Sequence, residues 1–90
     1  MTVSERTIKV NVRGGLQART AAMFVQEANR FQSDVSLVRD GKSVNAKSIM
    51  GVMSLVIPHG AEITLRTVGT DAELAMDRLC ALISSPEVVS

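Results

Sequence analysis

The sequence predicts an α+β domain of four strands and three helices, in the order β-α-β-β-α-β-α, with the helices covering one face of the sheet. Three observations carry that prediction. Short segments alternate polar and apolar residues, two longer ones place apolar residues at helical spacing, and a hairpin dipeptide separates two of the strands. All of this fits within 90 residues without a linker or repeat, so one domain spanning 1–90 is expected, its ordered core about 6–84.

Thr7 to Arg13 alternates, with Ile8, Val10 and Val12 on one side, which is the period of a half-buried strand. Gly14-Gly15 breaks it. From Ala18 to Phe31 the period changes. Ala21, Phe24, Val25 and Ala28 share one helix face, while Gln26, Glu27 and Arg30 take the other.

Val35 and Leu37 mark a second strand, Asp40-Gly41 a tight turn, and Val44 the short returning strand. Ser48 to about Leu55 reads as a short, very apolar helix, followed by the loop Pro58-His59-Gly60. Ile63 and Leu65 alternate with Glu62, Thr64 and Arg66 in a fourth strand. Thr70 and Glu73 have the spacing of a capping box, after which Ala72, Ala75, Met76, Leu79 and Ile83 line one helix face. Pro86 is expected to stop that helix and leave a frayed tail. Element order alone does not fix strand order: a ferredoxin-like sheet and an open-faced sandwich both satisfy it.

Composition excludes several functions. Ten basic and nine acidic residues offer no electrostatic footprint for nucleic acid. With no Trp or Tyr, a base-stacking platform is not expected either. One His and one Cys do not supply a metal site, and His59 alone does not make a catalytic set, so neither cofactor nor enzymatic activity is expected. The single Cys80, inside an apolar helical pattern, reads as a core side chain in a reducing compartment. The apolar run Ile49 to Ile57 is too short to span a bilayer. Met1-Thr2-Val3-Ser4-Glu5-Arg6 lacks an apolar signal core, so a cytoplasmic protein is expected.

Two predicted helix starts stand out: Gly15-Leu16-Gln17-Ala18-Arg19-Thr20-Ala21-Ala22, and Val44-Asn45-Ala46-Lys47-Ser48-Ile49-Met50-Gly51-Val52-Met53-Ser54-Leu55. By composition they are ordinary helix starts, with Ser48 a good N-cap. Both, however, closely resemble the HPr family of the bacterial sugar phosphotransferase system, and the resemblance runs from about Thr7 to Ile83. It implies an open-faced sandwich, a four-stranded antiparallel sheet covered by three helices. In that family the first motif reads Gly-Leu-His-Ala-Arg-Pro-Ala, and its histidine accepts phosphate from enzyme I. The second carries a serine phosphorylated by an ATP-dependent kinase.

Here Gln17 stands at the histidine position, and an amide is barely nucleophilic. Gln17 with Phe24-Val25-Gln26-Glu27-Ala28-Asn29-Arg30-Phe31 is similar to the Crh branch, which keeps the regulatory serine and lacks the phosphocarrier histidine. Thr20 departs from both branches, where proline stands. The resemblance implies a regulatory protein of carbon catabolite repression. Ser48 would be phosphorylated by HPr kinase/phosphorylase, and the product would bind the catabolite control protein, a LacI-type transcription factor, as corepressor. Gln17, Arg19, Thr20, Lys47, Ser48, Ile49, Met50 and Met53 would form the partner-binding surface. The alternative is a phosphocarrier that uses another residue. Direct contact with nucleic acid or membrane is not expected. A monomer or weak dimer is, with the first strand able to exchange between chains about Gly14-Gly15.

Overall fold

A computed structural model describes residues 1–12, 14–16 and 18–84. The elements are β1 (Thr2–Lys9), α1 (Arg19–Ala28), β2 (Asp34–Arg39), β3 (Lys42–Asn45), α2 (Ile49–Ser54), β4 (Glu62–Gly69) and α3 (Ala72–Ser84). The strands form one antiparallel sheet in the order β1-β4-β2-β3. That order decides between the two arrangements left open above in favour of the open-faced sandwich.

Register places the apolar residues on one face. Ile8 lies opposite Ile63, and Leu65 opposite Leu37. Ile63, Leu65, Val35 and Leu37 are buried beneath Ala21, Phe24 and Ala28 of α1 and Met76, Leu79 and Ile83 of α3. Burying each large side chain contributes roughly 1.5–3 kcal/mol. The other face carries polar pairs: Thr7 with Thr64, hydroxyl to hydroxyl at 3.0 Å, and Glu5 with Arg66 at 3.9 Å.

Three elements have bounds other than expected. β1 runs from Thr2 to Lys9 and not from Thr7 to Arg13: pairing with β4 extends to Gly69 although Ser4 and Arg6 break the apolar alternation, and past Lys9 the Val10 and Asn11 amides turn to the Ala61 and Ile83 carbonyls. α1 ends at Ala28, three residues before Phe31. α3 begins after Asp71, whose carbonyl accepts the Ala75 amide, so the expected box from Thr70 is not what starts the helix. The expected stop at Pro86 lies outside the described residues. The hairpin is where the dipeptide places it, with φ of 53° at Asp40 and 78° at Gly41.

Candidate recognition site at the starts of the first two helices

The loop into α1 is built on glycine. Gly15 has φ 74°, and a Cβ there would lie 2.7 Å from Pro58 Cα. That close approach lets the Leu16 amide donate to the Ile57 carbonyl at 2.8 Å, fixing the loop against the chain that leaves α2. Ala18 precedes the helix with φ 47° and offers no side-chain cap. Its carbonyl accepts the Ala22 amide, opening the helical ladder. Arg19 is exposed and has no ion-pair partner among the described residues. Thr20 is half-buried, and its hydroxyl donates to the Gly15 carbonyl at 2.5 Å. A threonine here therefore ties the helix's first turn back to the loop. Gln17 lies outside the described residues.

α2 is set by Ser48. Its backbone is extended, its Oγ accepts the Gly51 amide at 3.2 Å and its carbonyl accepts the Val52 amide at 3.0 Å. This is the N-cap geometry that serine favours. Six helical residues cannot bury both faces. Val52 points into the core and Leu55 closes the turn against it, while Ile49, Met50 and Met53 face solvent, Met50 at 79% exposure. Flexible methionines on such a face suit a partner surface.

Lys47 sits differently from a free surface cation. It is half-buried, and its Nζ donates to the Phe31 carbonyl at 2.8 Å, just past α1. Asn29 Nδ2 returns a bond to the Lys47 carbonyl at 3.1 Å. Lys47 thus braces α2 against α1.

The loop into α1 and the end of α2 face each other across a depression of about 310 Å³ lined by Leu16, Ala18, Met53 and Val56. Val56 and its left-handed backbone were not legible in the sequence, since nothing local marks a valine for positive φ. The remaining candidates are ordinary. His59 is exposed, with Nε2 3.2 Å from Asn11 Oδ1. Cys80 is buried beside Met76, its Sγ 3.5 Å from Sδ, and burial pushes its thiol up against the opposing influence of Arg6. Among the described residues no cluster of His, Cys, Asp or Glu is placed to hold a metal ion, and no helix is long and apolar enough to cross a membrane.

A serine capping a helix that exposes its apolar residues, with a glycine-built loop bonded to the chain that leaves that helix, is an arrangement suited to modification and protein recognition. The family described as "PTS HPr component phosphorylation site" matches residues 4–85. The chain belongs to the HPr/Crh family. It is similar to the HPr-like protein Crh of Halalkalibacterium halodurans, 57% identical over 88% of this chain and 94% of that one. Among solved structures, the phosphocarrier protein HPr of Bacillus anthracis superposes with a TM-score of 0.90 at 52% identity, covering 92% of this chain and 99% of its own. Crh of Bacillus subtilis, solved as a dimer with a swapping domain, gives a TM-score of 0.72 at 57% identity, over 83% of this chain and 86% of that one. HPr/Crh proteins are small regulatory or phosphocarrier proteins without catalytic activity of their own.

Proposed function

We propose that this HPr/Crh-family member is a Crh-type regulator in the cytoplasm, switched by phosphorylation of Ser48. HPr kinase/phosphorylase is the modifying partner, and the phosphorylated form binds the LacI-type catabolite control protein as corepressor. The observation that carries the reading is Ser48 itself: a half-buried hydroxyl heading a helix whose Ile49, Met50 and Met53 stay exposed. Phosphorylation places about −1.5 to −2 charge at one end of that apolar row, so a partner can require both features together. Arg19 supplies a planar guanidinium for an acidic or polar group on the partner.

Gln17 supports this reading over the phosphocarrier alternative, because its amide has no free nucleophilic nitrogen to accept a phosphoryl group. One experiment separates them. With ATP and HPr kinase, wild type should be phosphorylated once and Ser48→Ala not at all, as read by mass spectrometry. With phosphoenolpyruvate and enzyme I, wild type should remain unlabelled. Undiminished modification of Ser48→Ala refutes the regulatory site, and labelling by enzyme I revives the carrier.

The protein is proposed to be monomeric or weakly self-associating. The B. subtilis relative's swapping domain supports exchange of β1 about Gly14-Gly15 as the route to a dimer. Sedimentation at several concentrations tests this, and an obligate dimer at the lowest of them contradicts it.

A further inference from the structure

α2 gives way to the buried Ile57 through only two residues, Leu55 and Val56. Val56 makes the turn with φ 50°. Glycine is the usual residue just past a helix end, because a Cβ in the left-handed region crowds the backbone. A β-branched side chain there is an outlier. Burial does not repay it, since Val56 is 62% exposed. What the side chain does is line the depression with Leu16, Ala18 and Met53.

Arg39, at the end of β2, reaches this turn. Its Nη1 donates to the Val56 carbonyl at 2.8 Å and, more weakly, to the Leu55 carbonyl at 3.4 Å. The Leu55 and Val56 amides already bond to Val52 and Met53 carbonyls, so Arg39 satisfies carbonyls beyond the helical ladder. A cation also complements the negative end of the helix dipole. We propose that Val56 is a specificity-determining contact that extends the recognition face, and that Arg39 is the positioning residue holding it there. This rests on the regulatory reading above, and the occupant of the depression is an apolar side chain of the transcription factor. Continuity supports that occupant: Met53 belongs both to the depression and to the exposed row beside Ser48.

The test titrates Ser48-phosphorylated protein and its variants against purified catabolite control protein by calorimetry, with a thermal melt of each. Val56→Gly should keep or raise the melting temperature yet weaken binding about tenfold, the loss expected when an apolar side chain is removed from a binding contact. Arg39→Ala should weaken binding severalfold, and Arg39→Lys, which keeps a donor, should restore most of it. Added to Val56→Gly, Arg39→Ala should change binding less than about twofold, because the group it positions is already gone. Normal binding by Val56→Gly overturns the contact. An equal loss from Arg39→Ala in both backgrounds overturns the positioning role. If phosphorylated wild type does not bind at all, the regulatory reading falls and takes this inference with it; wild-type binding with unaffected variants overturns the inference alone.

Discussion

Gly14 and Gly15 both have positive φ, at 78° and 74°, yet their surroundings differ. A Cβ on Gly14 meets nothing within 4 Å, so alanine there bears only the conformational cost of the left-handed region, about 1 kcal/mol. A Cβ on Gly15 would collide with the Ile57 carbonyl oxygen and lie 2.7 and 2.8 Å from Pro58 Cα and C, all backbone atoms that cannot swing aside. Gly15→Ala must therefore push apart the loop and the chain after α2, threatening the Leu16–Ile57 hydrogen bond. The expected loss is about 2–4 kcal/mol, against about 1 for Gly14→Ala, measured by urea unfolding. Equal losses would show that the close approach contributes nothing. The same loop presents Arg19, so Gly15→Ala should also weaken recognition, whereas Gly14→Ala should not.

At the scale of elements, what the sequence revealed depended on whether one face of an element is uniformly apolar. The inward face of α1 (Ala21, Phe24, Ala28) and the alternation of Ile63 and Leu65 in β4 were legible because burial is what makes them apolar. β4 continues inward with Thr67, whose buried hydroxyl donates to the Ala72 carbonyl at 2.8 Å. A polar side chain satisfied by a carbonyl at the start of the helix that follows its strand does not show in the apolar alternation. The first residues of β1 are hidden for the same reason: Ser4 and Arg6 occupy inward register positions, and Arg6 pairs with Asp77 of α3 at 2.9 Å instead of entering the core. In the candidate site, Ser48 as N-cap and the outward methionines were readable from six residues of apolar excess on a helix with one inward stripe. Lys47 as a brace and Val56 as a left-handed turn were not. Each depends on a partner 16 or 17 residues away, Phe31 for Lys47 and Arg39 for Val56.

For the molecule as a whole, the connection from α1 to β2 is where the three helices are tied together. Lys47 grips it at Phe31 from the α2 side. Asp71, at the head of α3, grips it from the other side. Its carboxylate accepts the Gln32 and Ser33 amides, each at 2.9 Å, and the Ser33 hydroxyl. These bonds, the Ser33 hydroxyl's foremost, hold the Asp71 carboxyl below its ordinary value. The sign follows from linkage. A carboxylate whose pKa is depressed on folding stabilises the folded state above the unfolded value, near pH 4, and that contribution disappears as pH falls through the folded value. Asp71→Asn keeps the shape and one acceptor oxygen but turns donors toward the Ser33 and Gln32 amides. It should lower the melting temperature at pH 7, and the gap from wild type should narrow as pH drops below about 4, where the unfolded chain takes up the proton first and the folded carboxyl follows at lower pH. Melts of both proteins from pH 7 to pH 2.5 read this directly. A gap that stays constant over that range would mean Asp71 acts through shape alone, and the ionised carboxylate would not be what joins α3 to the α1–β2 connection.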